Sequence, residues 1–279
     1  MTVKDALRTA ARMLGEAGCG EPAVDSELLL MRVLGLERYE MHMAATSVLP
    51  ADRLEEFLSL AAARAGRTPL QHVTGEAWFM GRRFLSSPDA LIPRQDTEAT
   101  VEAFLSSLPE SPSRLLDVGT GSGIIAITLA IEFPECTVAG CDISRRALSL
   151  ASSNAALHAP ADPLWILGDL TGPFRAGFDG IVANLPYIPT DEIDSLEPEV
   201  RLADPRESLD GGPDGMLLIR RLIEEAGSLL RRGGVLALEA AGRQPAILAD
   251  EMSAAGTWAS VRAGADLSGR PRWITAVRT

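Results

Sequence analysis

Residues Asn184, Leu185, Pro186 and Tyr187 follow the apolar run "FDGIVA", so an amide, a proline and an aromatic ring close what reads as a buried strand. That combination suits chemistry on a planar –NH2 group. The nitrogen of a carboxamide or aromatic amine is a poor nucleophile because its lone pair is delocalised. Two acceptors that take both N–H groups would hold the nitrogen, favour its pyramidalisation and aim the lone pair at an electrophilic carbon. The Asn184 side-chain oxygen supplies one acceptor and the Leu185 main-chain carbonyl the other. Pro186 fixes its own φ and restrains Leu185 to extended backbone. Tyr187 offers a flat face. Orientation of this kind is worth about 7–11 kcal/mol of barrier. No general base stands out, so the proton leaves to water. The plain alternative is a strand-end cap followed by a stop.

"LLDVGTGSGI" sets Gly119, Gly121 and Gly123 between a strand and a helix. Glycines there permit a tight turn and let a ligand lie on bare backbone. The spacing is GxGxG, so the dinucleotide fingerprint is incomplete. Asp142 closes the next strand, about 20 residues on, where an acid bonds ribose hydroxyls. Its alternative is the N-cap of the helix that follows. Asp169 ends a third strand, placed to accept from an adenine amine while Leu170 packs on the ring; its alternative is a turn residue. Together with Asp117, whose carboxylate can meet an amino group at the loop, these residues favour a nucleoside cofactor without a pyrophosphate. S-adenosyl-L-methionine fits.

Which elements carry these residues? From Leu115 on, "LLDVG", "TVAGCD", "PLWILGD", "FDGIVAN", "GVLALEA" and "RWITAVR" read as strands. Helical runs such as "GIIAITLAIEF", "RRALSLASSNAAL" and "GMLLIRRLIEEAGSLL" lie between several of them. The alternation predicts an α/β fold: a Rossmann-like, mostly parallel sheet over residues 95–279 with helices on both faces. Ligands in such folds bind along the carboxyl edge of the strands. Residues 1–74 carry helical spacing: Val3, Leu7, Ala10, Ala11 and Leu14 share a face before Gly18. Asp25 or Ser26 is placed to cap a second helix, and a third ends at Gly66. Residues 75–94 predict a hairpin bridge, with Trp78 and Phe79 packing it.

Bulk properties narrow the partners. The 279 residues carry a net charge of −12, which counts against a nucleic-acid partner. Three cysteines form no CxxC pair and three histidines show no ligand spacing, so no metal site or disulfide framework is expected. No apolar run reaches spanning length and no signal core precedes the first helix, so the expectation is a cytoplasmic protein without membrane contact.

The ordered set "DVGTGSG", "NLPY", "RTPLQHVTGEAWFMGRRF", "LIPRQDTE" and "DLSGRPRWITAVR" resembles the glutamine methyltransferases of peptide-chain release factors, the HemK/PrmC family. The resemblance covers nearly the whole chain. It implies a class I S-adenosylmethionine-dependent methyltransferase. The implied reaction is methyl transfer to the side-chain N5 of the glutamine in the Gly-Gly-Gln motif of a release factor. By family match Gly119, Thr120, Gly121, Ser122 and Gly123 form the cofactor loop, and Asp142 holds the ribose. Asp169 and Leu170 border the adenine, and Asn184 to Tyr187 grip the glutamine. The N-terminal helices help to dock the protein substrate. Three departures stand out: Leu185 replaces a proline, Gln95 and Asp96 stand where proline and an acid are usual, and Asp204 stands where glutamate is usual. Adenine-N6 methyltransferases also use an Asn-Leu-Pro-Tyr form. Rival readings are therefore such an enzyme, a glutamine methyltransferase of a ribosomal protein, and a noncatalytic binding protein that keeps the fold. Arg94 stands open as a site residue or a salt-bridge partner.

Overall fold

The structure, a computed structural model, describes residues 1–279. Its first compact unit comprises Met1–Glu76 with Glu197–Ala203. Five helices build it: α1 (Val3–Glu16), α2 (Pro22–Leu34), α3 (Arg38–Met43), α4 (Ala51–Ala65) and α5 (Leu70–Thr74), joined by the single turn α9 (Pro198–Arg201). The Thr2 hydroxyl caps α1 by accepting from the Asp5 amide. Val3, Ala6 and Ala10 face a core with Leu29, Leu30, Met41 and Phe57, with Leu7 packed at its edge; Leu14 is buried and Ala11 half-buried.

Neither Asp25 nor Ser26 caps α2. Pro22 occupies the first helical position, where its fixed φ and missing N–H cost nothing. Asp25 is buried inside the helix and accepts from Arg64 Nε at 2.7 Å. Arg64 also donates to Glu199 Oε1 at 2.9 Å, and Arg67 donates to the same carboxylate. A buried guanidinium is tolerated only when paired. Arg67 first, then Arg64, holds the Glu199 carboxyl down to about 2. This cluster is why the distant segment 197–203 belongs with the helical unit, a return that a linear reading of 95–279 as one piece does not show.

The second unit comprises Ala77–Leu196 and Asp204–Thr279. It opens with the hairpin β1 (Glu76–Phe79) and β2 (Arg82–Leu85), turned by Met80 and Gly81, both at positive φ. Phe79 and Phe84 point into the core, but Trp78 is 66% exposed and does not pack the hairpin, because strand side chains alternate. Helix α6 (Gln95–Ser107) leads into β3 (Arg114–Val118), α7 (Ile124–Glu132), β4 (Thr137–Asp142), α8 (Arg145–Leu157) and β5 (Leu164–Leu167). Then follow β6 (Phe178–Ala183), α10 (Leu217–Leu229), β7 (Leu230–Glu239), α11 (Gln244–Ala254), β8 (Trp258–Ala265) and β9 (Pro271–Arg278).

The sheet order is β5-β4-β3-β6-β7-β9-β8, with β5 to β7 parallel and β9 antiparallel to both its neighbours. One face, with Leu116, Val118, Ile181 and Leu238, packs on Ile219 and Leu222 of α10 and Leu248 of α11. The other, with Leu115, Val182 and Ala237, packs on Val101 and Phe104 of α6 and Ile125 and Ile127 of α7. From β3 the chain steps outward through β4 to β5, then returns to β6 on the opposite side. That reversal opens a crevice at the carboxyl ends of β3 and β6. Val118 and Ala183, the last residues of these strands, are register partners, so Gly119 and Asn184 emerge side by side. No helix is long and apolar enough to cross a membrane.

Candidate active site

A cavity of about 450 Å³ opens at this crevice. Gly119 to Ser122 form one wall, Asp142 and Ile143 the next, Asp169 and Leu170 another, and Asn184 to Pro186 the wall opposite. Four strand ends thus meet on one edge.

The loop after β3 is held by main-chain bonds. The Gly119 and Thr120 amides donate to the Cys141 carbonyl at 2.8 and 2.9 Å. Gly119 and Gly123 have φ of +71° and +82°. A Cβ on Gly119 would lie 2.9 Å from Leu185 Cδ2, and one on Gly123 would lie 2.8 Å from both Ala151 Cβ and the Trp165 ring. Close approach, as well as backbone conformation, demands glycine at both. Gly123 faces the protein and is absent from the cavity wall, where Ile124 follows Ser122.

Asp117 departs from its expected place. It is fully buried beneath the loop and is not on the cavity wall. Its Oδ2 accepts from the Thr120 hydroxyl at 2.5 Å and the Ala126 amide at 3.1 Å, clamping the loop to α7, while Oδ1 has no partner. The side chain lies on the α7 face of the sheet, inward of the strand end, which is why it clamps rather than lines. Burial pushes its carboxyl up to about 7. Between pH 4 and 7 the folded state therefore holds a proton that the unfolded state releases, so this group's contribution to stability falls as pH rises and is flat above 7. Asp117→Asn should remove that decline and stabilise the protein by about 1–2 kcal/mol at pH 8 but not at pH 4. Denaturant melts from pH 4 to 8 measure it; parallel curves for both proteins would contradict it.

Asp142 accepts from the Gly121 amide through Oδ2 and from the Ser144 amide through Oδ1, both at 2.8 Å. Burial raises its carboxyl above the usual range. It is not the cap of α8; that is Ser144, whose hydroxyl accepts from the Ala147 amide. Each Asp142 oxygen accepts one of these bonds, and the residue lines the cavity. Asp169 is exposed and paired with Arg221 at 2.9 Å. Leu170 is buried at φ +46°, a strained conformation for leucine.

Asn184 Nδ2 donates to Thr97 Oγ1 at 3.0 Å, leaving Oδ1 as the end of the amide free for a ligand. Leu185 is buried against Gly119. Tyr187 is not on the cavity wall, contrary to its expected role as a flat face for substrate. Its ring packs on the sheet core, and its hydroxyl donates to Glu239 Oε1 at 3.1 Å. The Gln244 amide donates to the Tyr187 carbonyl at 2.8 Å. Tyr187 pins the turn from behind. Arg94 lines the cavity and donates to Asp204 Oδ2 at 3.0 Å, while Asp204 Oδ1 accepts from the Ile92 amide.

Sequence reasoning missed Ile143, Arg221, Thr97 and Glu239. Ile143 follows a strand-end acid and is 69% exposed, a large apolar residue at a place where a cap would be polar. That mismatch was a usable signal. Arg221 is one charge among several on the helix Leu217–Leu229, with no local pattern to single it out.

Comparison with known proteins agrees with this layout. Residues 5–75 match the PrmC N-terminal domain, and residues 83–197 match the Methyltransferase small domain. A release factor glutamine methyltransferase of Deinococcus radiodurans is 40% identical, with 100% of this chain and 99% of that one covered. The protein of the same name from Moorella thermoacetica is also 40% identical, over 100% and 99% of the two chains. Among solved structures, the ribosomal protein L11 methylase of Lactobacillus delbrueckii subsp. bulgaricus aligns with a TM-score of 0.51 at 21% identity, covering 67% of this chain and 80% of that one. A methyltransferase from Pyrococcus furiosus aligns with a TM-score of 0.52 at 17% identity, covering 71% and 90%. These structures share the class I methyltransferase fold. With full-length relatives at this identity, the chain belongs to the release factor glutamine methyltransferase family.

Proposed function

We propose that this protein transfers a methyl group from S-adenosyl-L-methionine to the side-chain N5 of the glutamine in a release factor's Gly-Gly-Gln motif, in the cytoplasm. The observation that carries the reading is the free Asn184 Oδ1 at the crevice, beside the glycine loop. The residues present fit the cofactor. Asp142 has lone pairs for ribose hydroxyls, Ile143 and Leu170 give apolar contacts for a base, and Asp117 clamps the loop from beneath. When bound, the cofactor supplies an electrophilic methyl carbon on a sulfonium.

The chain's own residues supply alignment. Asn184 Oδ1 and the Leu185 carbonyl accept the two N–H groups of the carboxamide and turn its nitrogen lone pair toward the loop. Leu185 acts through its carbonyl, so loss of the usual proline costs rigidity but not the acceptor. Pro186 holds the turn, and the Tyr187 hydroxyl anchors it. The surplus proton passes to water. Asp169 is paired with Arg221, so recognition of an adenine amine there requires the pair to part or to share its acceptor.

The test is direct. Purified protein with radiolabelled S-adenosylmethionine should label a release factor at the Gly-Gly-Gln glutamine, and replacing that glutamine should abolish the label. Label on adenine in RNA, or on a ribosomal-protein glutamine instead, would overturn the substrate. Cofactor binding without any transfer would overturn the reaction. The net charge of −12 favours a protein substrate over nucleic acid.

A further inference from the structure

An asparagine amide is nearly symmetric in shape, and rotating it by a half-turn exchanges an acceptor for a donor. Asn184 is useful only if Oδ1 faces the substrate. Its orientation is decided behind it. Thr97, in the first turn of α6, is 1% exposed, and its Oγ1 accepts from Asn184 Nδ2 at 3.0 Å. A hydroxyl can also donate, and donating to Asn184 Oδ1 would stabilise the wrong orientation equally well. Something must claim that hydrogen.

Glu239, the last residue of β7, lies against the Thr97 hydroxyl and is also 1% exposed. Its Oε1 accepts from the Tyr187 hydroxyl, and its Oε2 is buried with no hydrogen-bond partner. Arg272 lies beside it, with Asp96 bonded to Arg272 in turn. Burial raises the Glu239 carboxyl while Arg272 opposes that rise; in its ionised form the acid has no hydrogen to give. The unpartnered Oε2 is the acceptor toward which the Thr97 hydrogen can turn, which leaves the Thr97 lone pair for Asn184 Nδ2.

We propose that Thr97 and Glu239 are positioning residues that lock the Asn184 amide with Oδ1 toward the substrate, acting as a directed chain of donors from Asn184 through Thr97 to Glu239. The same carboxylate fixes the Tyr187 hydroxyl, so one buried acid orients both ends of the tetrapeptide. The proposal rests on an amide-type methyl acceptor, but its first readout needs no substrate.

The chain contains two asparagines, Asn154 and Asn184. Selective 15N-asparagine labelling therefore gives two side-chain amide pairs. Asn154 serves as an internal control, since its Nδ2 donates to the Leu85 and Ser122 carbonyls. Thr97→Val keeps shape and removes the hydroxyl. It should speed solvent exchange of the Asn184 side-chain hydrogens by roughly 10-fold or more and leave those of Asn154 unchanged. With a release-factor fragment, Thr97→Val should lower kcat by about 10–50-fold with the cofactor Kd within about 2-fold, and Thr97→Ser should recover to within about 3-fold of wild type. Glu239→Gln, which can donate as well as accept, should raise Asn184 exchange with Thr97 intact.

Unchanged exchange and kcat in Thr97→Val would overturn the proposal, as would a loss that Thr97→Ser fails to recover. Should the wild-type protein label no release factor, the substrate assignment fails while the exchange result still decides the chain of donors.

Discussion

Asn184→Ala should lower kcat/KM for glutamine methylation by about 10³-fold and change the cofactor dissociation constant by less than about 3-fold. The asymmetry follows from where the side chain points. Its Nδ2 is committed to Thr97, and its Oδ1 faces the crevice rather than the loop amides, which are already bonded to Cys141 and Asp142. Alanine leaves the Leu185 carbonyl as a single acceptor, so the incoming carboxamide keeps one hydrogen bond and gains a rotation about it. Its nitrogen then stays planar and delocalised for most of its time in the site. Asn184→Asp is a sharper variant. It restores an acceptor, but its second oxygen must turn to the Thr97 hydroxyl, beside which the Glu239 carboxyl already lies, and two acids then compete around one hydroxyl. Activity should stay at least about 10²-fold below wild type despite the near-identical shape. Initial rates with a release-factor fragment, beside calorimetric titration with cofactor, separate the two effects. An equal loss of cofactor affinity would place Asn184 at the cofactor end of the cavity.

Much of this site was legible because its residues sit at strand ends in chain order. Gly119 to Ser122, Asp142, Asp169 and Asn184 each follow an apolar run, and a parallel sheet brings such ends to one edge whatever the strand order. What stayed hidden depended on which strands are neighbours and which way a side chain turns. Glu239 also ends a strand, but its link to Asn184 needs β7 beside β6, a pairing that no local pattern reveals. Thr97 reaches the same point from α6, nearly ninety residues earlier. Asp117 and Tyr187 were rightly placed along the chain yet face inward, one clamping α7 and the other anchored on Glu239. The edge strand β8 is mostly exposed and rich in alanine, so its pattern lacks the apolar alternation that marked its neighbours. The return of Glu199 to the helical unit depends on a buried arginine whose partners lie 39 and 135 residues away.

Asp142→Ala should weaken cofactor binding by roughly 10²–10³-fold, the largest loss of affinity expected from any single side chain in the cavity. Three losses coincide there. The ribose hydroxyls lose a charged acceptor. The Gly121 amide loses the bond that holds it at φ +54°, so the loop backbone is freed just where a ligand must lie against it. The Ser144 amide loses its partner at the entry to α8, loosening Ile143 between them. Asp142→Asn separates these contributions. Its single carbonyl oxygen can satisfy Ser144 or Gly121 but not both, and its NH2 faces an amide donor, so affinity should fall about 10–30-fold rather than halfway to zero. The wild-type carboxyl is raised by burial, so affinity should also decline as pH falls toward that raised value and protonation removes an acceptor. The asparagine variant should bind weakly but without that decline. Titrations of both proteins across acidic pH measure it, and a wild-type affinity as flat as the variant's would mean that the ribose is held by the loop alone.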